Sequence, residues 1–190
     1  MAKARVGILI SGRGSNMASL VEASRKPDSP YEVVLVASNV TDAAGLDFAK
    51  AQGIATWAQS HTGMKRAEFD ALVDAQLRAA GVEYVALAGY MRLLSPGFVQ
   101  KWAGRMINIH PSLLPAYKGL DTHQRVIDAG EVKHGCSVHI VIEELDDGAV
   151  IAQAEVPVLP GDDAHSLAER VLKEEHRIYP LALAKLVGGK

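Results

Sequence analysis

A chain of 190 residues suits one domain, and at 48% hydrophobic and 22% charged it can bury a real core with the balance of an ordinary soluble protein. Lys and Arg number 20 against 22 Asp and Glu, so the net charge of −2 offers no global basic field for nucleic acid, and an anionic partner must be met by a local site. The single cysteine, Cys136, excludes an internal disulfide framework. No apolar run approaches a signal core or the ~20 residues of a membrane span, so a cytoplasmic protein is expected.

Residues 6–10 (Val-Gly-Ile-Leu-Ile) read as a buried strand. Ser11-Gly12-Arg13-Gly14-Ser15-Asn16 follows directly and opens a helix over about residues 16–24. Two glycines there allow a tight turn, and a helix N-terminus presents N–H groups and positive partial charge to an anion. The dinucleotide and Walker fingerprints both fail, because Met17 stands where a third Gly belongs and no Gly-Lys-Ser/Thr occurs. A monophosphate suits this loop better, and a plain capped turn is the alternative. Residues 32–37 and 53–56 read as second and third strands around a helix over 43–52. Phe69, Leu72, Val73 and Leu77 then mark an amphipathic helix over 65–80, before a fourth strand at 84–87.

Residues 106–109 form a fifth strand, and Pro111 and Pro115 stop it. Asn108 and His110, two apart, point to one side at the strand end. That is where α/β proteins place chemistry, and an amide beside an imidazole suits a developing oxyanion and a moving proton. Asp121 reads as the N-cap of a helix to Asp128, with His123 on its surface. Residues 136–142 alternate as a strand, and 150–155 pair with it antiparallel through a short turn containing Asp146-Asp147-Gly148. Asp146 either fills that turn or sets a carboxylate against His110; composition alone leaves the two readings level. From Ala164 on the chain is helical, capped by Asp162 or Asp163, and Pro180 should break or kink the helix. His134 and His139 lack cysteine company among the seven histidines, so no metal site is expected. The βαβα rhythm followed by an antiparallel pair implies an α/β fold, with a mixed, mostly parallel sheet and helices on both faces.

Several long motifs in order carry a resemblance: Ile-Ser-Gly-Arg-Gly-Ser-Asn (10–16), Leu-Ala-Gly-Tyr-Met-Arg-Leu-Leu-Ser-Pro (87–96), Asn-Ile-His-Pro-Ser-Leu-Leu-Pro (108–115), His-Gly-Cys-Ser-Val-His (134–139), Glu-Leu-Asp (144–146) and Glu-His-Arg-Ile-Tyr-Pro (175–180). From residue 6 to about 183 the chain resembles the phosphoribosylglycinamide formyltransferases of purine biosynthesis. The resemblance implies a Rossmann-like formyltransferase fold over 1–190 as a single domain, with the ribonucleotide phosphate site in the N-terminal half and the folate site in the C-terminal half. It implies transfer of a formyl group from 10-formyltetrahydrofolate, a co-substrate, to glycinamide ribonucleotide, by direct attack through a tetrahedral intermediate and without metal. The implied catalytic trio is Asn108, His110 and Asp146. Gly14, Ser15, Asn16 and Glu175 would hold the ribonucleotide. Arg66, Met91, Arg92, Leu93, Leu94, Asn108, Val141, Glu143 and Asp146 would hold the folate.

The expected partners are small molecules only, with no nucleic acid or membrane, and the protein is expected as a monomer or homodimer. Leu172 stands where several relatives place a polar phosphate contact, and Arg13 or Lys173 is expected to replace it. A formyltetrahydrofolate hydrolase would carry a further N-terminal domain, and a methionyl-tRNA formyltransferase a further basic one. A bare nucleotide-binding module would leave Asn108, His110 and Asp146 unexplained.

Overall fold

The computed structural model describes residues 2–189. Seven strands form one sheet in the order β3-β2-β1-β4-β5-β6-β7. Strands β1 (Ala4–Ile10), β2 (Tyr31–Ser38), β3 (Ala55–Ala58), β4 (Tyr84–Leu87) and β5 (Met106–His110) run parallel. Strands β6 (Lys133–Ile140) and β7 (Val150–Pro157) each run antiparallel to the neighbour before them. Mixed sheet and helices on both faces agree with the sequence reading. Alternate residues of β1 face opposite layers: Val6, Ile8 and Ile10 join the core cluster that includes helices α1 (Ser15–Ser24) and α6 (Ala164–Val187), and Leu9 joins the one under α3 (Arg66–Ala79). Both faces are apolar because both are covered. The strand order reverses between β1 and β4, and the crevice beyond the carboxyl ends of those strands is the natural binding position in such a sheet.

The remaining helices are α2 (Ala44–Ala51), α4 (Pro96–Lys101) and α5 (Thr122–Asp128). Helix α4 is absent from the sequence reading, although its start carries a plain signal: Ser95 caps it by accepting the Phe98 N–H, and Pro96 occupies the first turn. Asp163 does cap α6, accepting from Ser166 N–H.

Three expectations are corrected. Pro180 does not break α6, which stays helical to Val187. An interior proline costs about 3 kcal/mol, but Leu167, Val171, Ile178, Tyr179, Ala182 and Leu183 are buried along the helix, and the Tyr179 hydroxyl donates to the Leu87 carbonyl at 2.7 Å. Tertiary packing on both sides of the proline outweighs its local cost. The expected strand 136–142 is instead β6, and it does not alternate between core and solvent, since residues 134–139 are all buried. The segment after β5 lies over its second face: Ser137 Oγ donates to the Ser112 carbonyl and accepts from Leu114 N–H. Asp121 sits at the N-cap position of α5 with φ 55°, but its side chain caps nothing.

His123 also departs from the surface role expected of it. Its Nδ1 lies 3.0 Å from Nε2 of His134, which is 1% exposed. Burial, then the charges of His123 and His110, push His134 down to about 4. The unfolded chain therefore takes up a proton near pH 6.5 that the folded chain refuses until about pH 4, and stability falls as pH drops through that window. Between pH 7.5 and 5 the expected contribution is about 2 kcal/mol. Urea unfolding of wild type and His134→Gln at both pH values tests this; an equal pH-dependent loss in the two proteins refutes it.

Candidate active site

Asn108 and His110 point the same way from the end of β5 because they are two apart on a strand. The antiparallel register sets His139 opposite Asn108 and Ser137 opposite His110. The connection after β6 then returns Asp146 to this cluster. His110 Nδ1 stands 3.4 Å from Asp146 Oδ2, and His139 Nε2 stands 3.6 Å from Asp146 Oδ1. One carboxylate thus faces two imidazoles, and His110, His139 and Asp146 are each less than 8% exposed. Asp146 does both of the things that composition leaves open: its φ of 51° makes the turn, and its carboxylate meets the histidine. Burial pushes the Asp146 carboxyl up, but His139, the Gly119 N–H and the charges of His110 and His139 outweigh it and hold the group below the usual carboxylate range.

The other contacts set the polarity of each ring. His110 Nε2 lies 2.9 Å from the Tyr117 carbonyl, which can only accept, so Nε2 carries a proton. Its Nδ1 therefore makes an attractive contact with Asp146 when it too is protonated. His139 Nδ1 faces the Ile140 carbonyl in the same way at 3.0 Å, and its Nε2 stands 3.3 Å from Asn108 Nδ2. That contact orients the Asn108 amide, which has no other side-chain hydrogen bond among the described residues. The segment after β5 straps the cluster: the Gly119 N–H donates to Asp146 Oδ2 at 2.9 Å, and Lys118 pairs with Asp147. Tyr117 (φ 54°), Asp121 (φ 55°) and Asp146 (φ 51°) all hold left-handed backbone around it, a concentration of strain that marks functional sites.

The Gly loop lies beyond β1, across the switch point. Gly14, at φ 71°, takes the N-cap position of α1, and no side chain caps the helix there. The first-turn N–H groups face an open cavity of about 200 Å³ lined by Gly12, Arg13, Gly14, Ser15, Asn16, Ala88 and Gly89. Gly45 of α2 backs the loop: its N–H donates to the Gly12 carbonyl, and a Cβ there would meet Ile10 Cδ1 at 2.6 Å and the Arg13 carbonyl at 3.1 Å. Asn16 Nδ2 donates to Glu175 Oε2 at 3.0 Å, which joins the loop to α6. Glu175 is 7% exposed, and burial raises its carboxyl, with the Asn16 bond opposing. A larger open cavity of about 410 Å³ lies at the opposite end of the sheet, where Lys3 and Arg25 fill helix C-termini by donating to backbone carbonyls.

The residues expected around a folate spread over a wider surface. Leu94 and Val141 pack against the cluster holding Leu87 and Phe98. Met91 and Leu93 stay exposed at 68% and 54%. Arg92 lays its guanidinium over Phe69, with 5.0 Å to the ring centroid, and Arg66 is exposed one turn before that ring. Glu143 points to solvent and accepts from Gln100. Neither Arg66 nor Glu143 makes a hydrogen bond or ion pair with the trio among the described residues, whereas His110 meets Asp146 directly and Asn108 is linked to it through His139.

Three participants escape the sequence reading. His139 reads there only as a possible metal ligand, although its place two residues from Ser137 on a strand pairing with β5 is the signal for it. The Tyr117 carbonyl is backbone and leaves no trace in sequence. Ser11 reads only as part of the loop, but its hydroxyl donates to Asn39 Oδ1 and accepts from Met91 N–H at 2.8 Å. It ties the Gly loop to the 91–94 stretch. Among the described residues no group of three or more His, Cys, Asp or Glu is arranged to hold a metal ion, and no helix is long and apolar enough to cross a membrane.

A family model described as formyl transferase matches residues 4–183. The chain is 43% identical over 184 residues to the phosphoribosylglycinamide formyltransferase of Escherichia coli, covering 96% of this chain and 87% of that protein. It is 48% identical over 188 residues to the trifunctional purine biosynthetic protein adenosine-3 of Bos taurus, of which the chain spans only 19% while being itself 98% covered. The solved phosphoribosylglycinamide formyltransferase of Brucella melitensis superposes with a TM-score of 0.94 at 48% identity, covering 100% of this chain and 98% of that one.

Proposed function

The chain belongs to the formyl transferase family, and from that premise we propose that it transfers the formyl group of 10-formyltetrahydrofolate to the amine of N1-(5-phosphoribosyl)glycinamide. The products are formylglycinamide ribonucleotide and tetrahydrofolate, a step of de novo purine biosynthesis carried out in the cytoplasm by a monomer or homodimer. The observation that carries this reading is the meeting of His110 and His139 on one buried carboxylate, Asp146, with Asn108 held against His139, at the same end of the sheet as an uncapped Gly loop. An oxyanion-handling cluster and a phosphate-sized cavity beside it suit a phosphorylated amine and an acyl donor held together, and proximity supplies much of the rate.

The neutral amine attacks the formyl carbon, and the carbonyl electrons move to oxygen. The Asn108 amide is the donor aimed at that oxyanion. His110, charged beside Asp146, stabilises it through its field, and its direct N–H reaches the oxyanion once residues 116–118 release Nε2 from the Tyr117 carbonyl. Collapse breaks the bond to the folate N10, and the proton lost by the amine is delivered to that nitrogen through water ordered by Asp146. Gly14, Ser15, Asn16 and Glu175 hold the ribonucleotide. Arg66, Met91, Arg92, Leu93, Leu94, Val141 and Glu143 hold the folate, with Leu94 and Val141 as its apolar wall.

Incubating the purified protein with 10-formyltetrahydrofolate, with and without the ribonucleotide, and following release of the deformylated folate by absorbance tests the proposal. Release that depends on the ribonucleotide is expected. Equal release without it would make the protein a hydrolase, and the transferase reading would be wrong.

A further inference from the structure

The cavity at the Gly loop has a charge problem. Its wall includes Asn16, whose amide is bonded to the buried Glu175 carboxylate, so a phosphate entering it approaches an acid. The first-turn N–H groups of α1 supply only partial positive charge. Leu172, one turn before Glu175 on α6, is a half-buried hydrocarbon. A full positive charge must come from elsewhere, and the two nearby candidates in sequence are Arg13 and Lys173.

Helical geometry decides between them. Glu175 marks the face of α6 that meets the loop, because it is the residue bonded to Asn16. Each residue turns an α-helix by about 100°, so Lys173 lies roughly 160° around the axis from Glu175. It is exposed accordingly, on the face away from the loop. Arg13 lines the cavity itself and is the one lining residue with a positive charge. It is exposed, and among the described residues its guanidinium enters no hydrogen bond or ion pair, so binding an anion costs it no existing partner. Gly45 packs closely behind the loop and donates its N–H to the Gly12 carbonyl, next to Arg13.

We propose that Arg13 is the cationic phosphate ligand of the ribonucleotide site, supplying the full positive charge that the α1 N-terminus lacks. The inference rests on the ribonucleotide reading above and adds the residue that selects the phosphorylated substrate over its dephosphorylated counterpart. A guanidinium on phosphate forms strong, commonly bidentate hydrogen bonds.

Isothermal titration calorimetry with glycinamide ribonucleotide and with the dephosphorylated glycinamide riboside tests it on wild type, Arg13→Gln, Arg13→Lys and Lys173→Gln. Arg13→Gln is expected to weaken ribonucleotide binding about tenfold and leave riboside binding as in wild type. Arg13→Lys should recover part of the loss, and Lys173→Gln should match wild type. A ribonucleotide Kd for Arg13→Gln within twofold of wild type overturns the assignment, as does a loss confined to Lys173→Gln. Wild type that binds no ribonucleotide at all overturns the substrate reading, and this assignment with it.

Discussion

Asp146→Asn is expected to lower kcat by about 10²–10⁴, the range over which a positioned proton-transfer group acts. The substitution keeps the shape of the side chain and removes its charge. His110 then faces a neutral amide across the 3.4 Å contact, and the second proton on that ring loses its counter-ion. The amide nitrogen, if turned toward Gly119, also opposes an N–H donor where a carboxylate oxygen accepted one at 2.9 Å. The strap over the cluster is thus weakened together with the chemistry. Single-turnover measurement with both substrates saturating separates the two effects, because weakened binding is overcome by concentration and a missing catalytic charge is not. A variant turning over within threefold of wild type under those conditions would remove Asp146 from the mechanism.

Asn108→Ala should cost about 10²–10³ in kcat, the usual effect of deleting one oxyanion donor, with substrate affinities changed far less. Asn108 is part-buried at the strand end, and its backbone stays in register with Leu87 on one side and His139 on the other. The cut therefore removes a hydrogen bond without dismantling the sheet. His139→Ala offers a graded comparison: it leaves the amide in place but frees its orientation, so its effect should be smaller than that of Asn108→Ala. If the two variants are ranked the other way, the amide is not the principal donor.

Much of this arrangement is legible in the residues themselves. An apolar first strand, a Gly-rich turn after it and an Asn-x-His strand end each follow from local rules of turn, pleat and alternation, and the structure has all three. Less legible is anything decided by a segment distant in sequence. His139 lies on a strand whose alternation suggests one wet face, and only the 112–117 segment lying over that face buries it. Asp146 sits in a run of Asp and Gly that any turn would use, so no local feature reveals that its carboxylate turns inward. Pro180 obeys its local preference in most helices and is overruled here by the sheet beneath. The choice between Arg13 and Lys173 is open in sequence because both are basic and both adjoin the relevant motifs. It closes once the Asn16–Glu175 bond shows which side of α6 faces the loop.

That same bond spans 159 residues of chain, which gives the molecule a timetable. Synthesis runs from the N-terminus at about 5–20 residues per second, so the Gly loop waits roughly 8–32 s on the ribosome for the glutamate that completes it. Through that interval the trio and His139 can already assemble, since Asn108, His110, His139 and Asp146 lie within one stretch of the chain. Of the two halves of the site, the one built for the phosphate is begun first and completed last.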